Sequence, residues 1–157
     1  MALSDRAVSP AIPLEGIDAS MKLEKGGAGS EADPYWEGRQ YMAVKKGTAD
    51  NQVKPLEDGD DAGTVIVGFL QKDADDGESV AVRISGVTWA RAEGSVTRGD
   101  LLEAVHDATD EDKNGNLKNQ GTPISVTEMI AAEALESAAD GEYFKVQIHK
   151  QMQVASS

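Results

Sequence analysis

From Tyr35 onward the chain alternates short apolar segments with breaks of Gly, Asp and Asn, a spacing that predicts β structure. Tyr41-Met42-Ala43-Val44 reads as a strand turned by Lys45-Lys46-Gly47. Thr64-Val65-Ile66-Val67-Gly68-Phe69-Leu70 is β-branched and bounded by Asp60-Asp61 and Asp73. Ser79 to Ile84 alternates cleanly, which places Val80, Val82 and Ile84 on one face. After Gly86 the large residues fall at odd positions, Val87 and Trp89, so a bulge or bend is expected at the glycine. Val96 to Leu102 reads as a turn leading into a strand, and Phe144, Val146 and Ile148 line one face of a last one.

Two regions depart from this pattern. Thr127 to Ala139 is rich in Ala, Glu, Met and Leu, and Asp140-Gly141 is a good helix stop, so propensity alone predicts a helix there. Residues 1–33 hold Pro10, Pro13, sparse apolar residues and a Gly26-Gly27-Ala28-Gly29-Ser30 joint. Prolines disfavour helix and clustered glycines loosen the chain, so this segment reads as an extended N-terminal arm, with a plain disordered tail as the alternative. The expected fold is all-β: a small barrel or sandwich over residues 34–157, with an acidic loop insertion at 107–121 and the arm in front.

Composition narrows the function. Twenty-eight acidic against fifteen basic residues give a net charge of −13. Such a surface repels phosphate backbones and anionic lipid, which argues against nucleic acid and membrane as partners. No apolar run approaches the ~20 residues of a membrane-spanning helix, and the first residues lack the apolar stretch of a secretory signal. Seven aromatic side chains in 157 residues leave a core of Val, Ile, Leu and Ala, for which self-association is a natural way to bury more surface.

Candidate chemistry is sparse. Without cysteine there is no thiol nucleophile, thiolate metal site or disulfide. His106 and His149 lie in or at the ends of predicted strands, away from any recognisable triad spacing, and read as surface or edge-strand residues. No phosphate-cradling glycine motif occurs. Catalytic residues, cofactors and resident metals are therefore not expected. Arg98-Gly99-Asp100 spells an adhesive tripeptide but equally suits a turn. Asp110-Glu111-Asp112-Lys113-Asn114-Gly115-Asn116-Leu117 matches half of a calcium loop, yet its twelfth position is Gly121 rather than Glu. The competing reading is an Asn-Gly turn in a long hairpin.

Taken in order, several of these segments resemble the capsid cement, or head-decoration, proteins of tailed viruses. Gly63-Thr64-Val65-Ile66-Val67-Gly68 is similar to that family's strand ending in Ile-Gly-Val. Asp76-Gly77-Glu78-Ser79-Val80-Ala81-Val82 is similar to its Gly-Glu-x-Val-x-Val step. Ile84-Ser85-Gly86-Val87, the turn from Val96 to Leu102, and the Ala131–Glu136 segment with its return through Val146 follow in the same order. The acidic 107–120 segment and the long N-terminus have no counterpart in that pattern. The resemblance implies a strand, not a helix, at 129–136. It also implies a non-enzymatic protein of the virion exterior, made in the host cytoplasm, that binds the major capsid protein as a homotrimer. Leu3, Val8, Ile12 and Leu14 of the arm are then the candidate gripping residues. The alternatives are a tail or baseplate β domain, or a small β-barrel binding a ligand or cation.

Overall fold

The computed structural model describes residues 14–24, 40–57, 59–106, 113–121 and 127–154. Among them the regular structure is entirely β, in nine strands: β1 (Gly16–Leu23), β2 (Ala43–Lys46), β3 (Gln52–Pro55), β4 (Ile66–Leu70), β5 (Ser79–Arg91), β6 (Leu101–Ala104), β7 (Leu117–Asn119), β8 (Glu128–Ala134) and β9 (Tyr143–Gln153). The pairing order β1-β3-β2-β4-β5 closes on itself because β1 also pairs with β5. These five strands form a closed barrel, which leaves no sheet edge open along that stretch. The all-β expectation holds.

Residues 16–23 fell within the segment read as an arm, and they form β1. Its two partners lie far away in sequence: Leu23 aligns in parallel with Val53, and Ala19 to Lys22 run antiparallel to Ser79–Val82. Alternation explains why the segment can be a strand. Ala19 and Met21 are half-buried and Leu23 is buried, while Asp18, Ser20 and Lys22 face water. Inside the barrel Leu23, Val44, Val53, Leu70, Val80 and Val82 make a small aliphatic core.

β5 is thirteen residues long and serves two sheets. Its first half pairs with β1 and β4, and Val87–Arg91 pair with β9. From there the sheet continues through β8, β6 and β7, and curls until Leu117 meets Ala92. A larger core fills this half, built from Phe69, Phe144, Leu102, Leu117, Val146 and a set of alanines. The bend expected at Gly86 is present, with φ of +95°. The expected exchange of faces is not. Val80 and Val82 before the bend and Thr88 and Ala90 after it are all buried, so the even positions stay inside. Val87 and Trp89 lie half-buried on the outer face instead.

The segment of helical composition is the strand β8, as the resemblance implied. Met129, Ala131, Ala132 and Ala134 face the larger core and Ile130 is fully buried too. A strand covered on both faces has room for alanine, and this packing overrides propensity. Asn114-Gly115 does lie in the long connection of the β6–β7 hairpin, whose strands align Ala104 with Leu117.

Candidate functional site

Two neighbouring features of the β5 region are built from residues that sequence reasoning left unassigned. The first is the point where the N-terminal segment joins the domain. Gly16 and Gly86 face each other in register, and a Cβ on Gly86 would stand 2.3 Å from the Glu15 carbonyl oxygen and 2.5 Å from the Gly16 Cα. Only glycine lets the two backbones approach this closely. Arg83 then fastens the segment. Its Nε donates to Asp18 Oδ1 at 2.6 Å, and its Nη1 donates to the carbonyls of Leu14 at 3.0 Å and Val87 at 2.8 Å. One guanidinium thus ties the incoming chain to both halves of β5 across the bend, a use that the planar five-donor group suits. Leu14 and Ile17 beside it are 40% and 63% exposed.

The second feature is the outer face of the β5–β9 pair. Lys145 sits over the Trp89 ring at 5.5 Å and Arg91 over the Tyr143 ring at 6.0 Å. Tyr41 meets Tyr143 edge-on, with centroids 6.0 Å apart, and holds an unusual φ of +67°. A bulky residue in that conformation is strained and persists only where its surroundings fix it. Here the Tyr41 N–H donates to the Leu70 carbonyl at 2.7 Å. The result is a cation–aromatic face on a strongly acidic protein. Alternation in Tyr143-Phe144-Lys145-Val146-Gln147 was a signal for it, since the odd positions had to face outward.

The sequence-predicted sites fare as follows. Leu3, Val8 and Ile12 lie outside the described residues, and Leu14 stands exposed at the join. Asp110–Asp112 also lie outside, while Asn114 and Asn116 of the calcium-like stretch are buried. Asn116 Nδ2 donates to Glu93 at 3.3 Å, and Gly115 accepts from the Ala43 N–H at 3.0 Å through its carbonyl. That stretch packs against the domain. Among the described residues no group of three or more His, Asp or Glu is placed to hold a metal. Asp100 accepts the Thr97 N–H at 2.8 Å, so the Arg98-Gly99-Asp100 carboxylate serves its own turn. His149 Nε2 lies 3.2 Å from Glu133 across β8–β9.

One group stands out electrostatically. Burial holds the Glu103 carboxyl above the usual carboxylate value, opposed by Lys118, 3.3 Å away. Glu24 and Glu57 are shifted the other way. The Thr48 N–H and hydroxyl donate to Glu24, and Lys54 donates to Glu57, and these bonds favour the charged forms.

No protein-family model and no curated protein matches the chain. Among solved structures it is similar to the N base of the head fiber gp8.5 of bacteriophage phi29. The TM-score is 0.55 at 14% identity, over 86% of this chain and 95% of that one. At that identity the likeness shows a shared fold.

Proposed function

We propose that this protein is a structural, non-enzymatic component of a tailed-virus particle that binds the capsid exterior and stabilises it. The observation that carries the reading is the fold shared with a phage head-fiber base along nearly the whole of both chains. The ordered resemblance to cement proteins supports it independently. Its segments fall on β4, the turn into β5, the bend at Gly86, the turn into β6, and the β8–β9 hairpin. An acidic exterior suits a protein that lives in solvent on a shell, and the partner is the major capsid protein.

In this reading the protein sits as a homotrimer, because threefold positions of a shell demand three copies. The grip comes from the N-terminal segment carrying Leu3, Val8 and Ile12, delivered from a rigid anchor at Leu14. Each apolar side chain buried on the shell contributes about 1.5–3 kcal/mol, and the number of copies multiplies the effect.

The test is to mix the purified protein with undecorated heads, sediment them, and image the pellet by cryo-EM. Density at threefold or quasi-threefold positions, lost when residues 1–13 are deleted, is the expected result. Absence of co-sedimentation would refute the reading. Density on a tail or baseplate would replace it with that alternative.

A further inference from the structure

One end of the closed barrel holds a cavity. The strand registers set four elements level there. Lys46 closes β2 and Gln52 opens β3, Lys45 aligns with Ile66 at the start of β4, and Lys22 of β1 aligns with Gln52. Alternate side chains of a strand point to one side. Val44 and Leu23 belong to the aliphatic core, so Lys46 and Met21, each two residues nearer this end, continue the inward columns. Between the strands lies a cavity of about 380 Å³, within the roughly 300–1,000 Å³ range of small-molecule sites, which often occupy barrel mouths. Met21 and Val67, half-buried against the core, make an apolar floor, and Lys46, Asp50, Asn51 and Gln52 make the rim.

The rim is fixed in advance. The Thr48 N–H and hydroxyl donate to Glu24 at 2.6 and 2.7 Å, the Ala49 N–H donates to Gln52 Oε1 at 3.0 Å, and the Lys22 N–H donates to the Asn51 carbonyl at 2.8 Å. A turn tied down this way spends little on ordering when something binds. Neighbouring charges are used inside the fold: Lys45 pairs with Asp60 and Glu57, and Lys54 pairs with Glu57. Among the described residues Lys46 and Asp50 make no ion pair, and the Asn51 carboxamide makes no hydrogen bond. A cation and an anion thus stand on one rim, above an apolar floor, without bonding each other.

The complement of this arrangement carries a carboxylate for Lys46, an ammonium for Asp50 and Asn51, and an aliphatic body for Met21 and Val67. A net anion would approach a chain of charge −13 against its field, whereas a molecule bearing both charges does not. None of these side chains is aromatic, so a planar ring finds no stacking platform. We infer that the barrel mouth binds a small aliphatic zwitterion, an amino acid or a short peptide. The inference stands whether or not the capsid reading does.

NMR of the full chain, titrated with L-leucine, tests it. Saturable shifts centred on the amides of Lys46, Asp50 and Asn51 and the methyls of Met21 and Val67 are expected in the millimolar range. Leucinamide lacks the carboxylate and N-acetyl-leucine lacks the ammonium, and each binds at least about tenfold more weakly. Lys46→Met removes the preference for leucine over leucinamide, and Asp50→Asn removes that over N-acetyl-leucine. Both side chains are exposed, so the urea midpoints of the two variants stay at the native value and show that the fold persists. Dileucine in a parallel titration separates the sources: tighter binding assigns a peptide, weaker binding a free amino acid. No saturable shift with either leucine or dileucine would overturn the inference. Equal affinity for leucine, leucinamide and N-acetyl-leucine would overturn it too, as would preferences that survive both substitutions, and the rim would then be a solvated end of the barrel.

Discussion

Replacing Gly86 by alanine tests whether the join between β1 and β5 holds the barrel closed. The side chain would meet three penalties. At φ of +95° an L-residue costs about 1–2 kcal/mol. The new Cβ, 2.3 Å from the Glu15 oxygen and 2.5 Å from the Gly16 Cα, meets backbone that no rotamer change can relieve, so overpacking adds about 1–3 kcal/mol. Displacing Glu15 also loses its bond from Val87, worth about 0.5–1.5 kcal/mol. The loss of chain freedom in the unfolded state returns about 0.4–1 kcal/mol, which leaves a net cost of roughly 2–6 kcal/mol. At about 2–4 °C per kcal/mol for a chain of this size, the melting temperature falls by roughly 4–24 °C. The control is Gly77→Ala, at φ of +77° with nothing within 4 Å of the added carbon. It carries the conformational cost and the same chain-freedom term but no contact, so about 1 kcal/mol or less remains. Urea and thermal unfolding followed by circular dichroism give both values. If the two variants are destabilised equally, the close approach at Gly86 contributes nothing and the reasoning fails.

Arg83→Met strands the Leu14 and Val87 carbonyls; a loss of about 1–3 kcal/mol in urea unfolding is expected, and an unchanged midpoint would show the guanidinium to be ornamental. Deleting residues 1–20 removes Gly16, Asp18 and most of the β1 ladder, so the product should lose the cooperative transition that a chain starting at Leu14 retains, as calorimetry would show. Glu103→Gln acts through pH. A carboxyl held above its ordinary value of 4.5 by burial binds its proton more readily folded than unfolded. Its contribution therefore favours the folded state at low pH and declines as pH rises from 4.5 through the raised value. Urea midpoints of the native protein should improve, relative to the Gln variant, as pH falls from 7 toward 4.5; parallel curves would contradict the burial argument. Glu24 and Glu57, with lowered values, act oppositely in both proteins, and their stability is lost only below about 4.5.

Which parts of this fold could be read from the sequence follows from how local the deciding forces are. Strands β4, β5 and β9 were legible because Ile66–Leu70, Val80–Ile84 and Phe144–Ile148 carry their own β-branched or alternating pattern. The buried residues of β5 on either side of the bend, Val80, Val82, Thr88 and Ala90, share one parity, yet the side chains gave the opposite impression beyond Gly86. The core there takes Thr88 and Ala90 because Phe144 and Phe69 already fill it, and Trp89 is left outside under Lys145. Neighbours distant in sequence set that size limit. The same holds for β8, whose alanines mark a strand enclosed on two faces rather than a helix.

The hardest element to see was β1, although its alternation, Ile17, Ala19, Met21, Leu23 against Asp18, Ser20, Lys22, is as regular as that of β5. Flanking prolines and the Gly26–Gly29 cluster made the whole segment read as arm. Nothing within it says where it pairs. That is decided by Arg83, 65 residues on in sequence from Asp18, and by a glycine placed opposite a glycine. The candidate site has the same character. Its parts are an arginine, two glycines and five aromatic or basic side chains, none of which forms a motif in sequence. They become a site only where β5 passes from one sheet to the next, because β1 pairs with the strand before that passage and β9 pairs with it after.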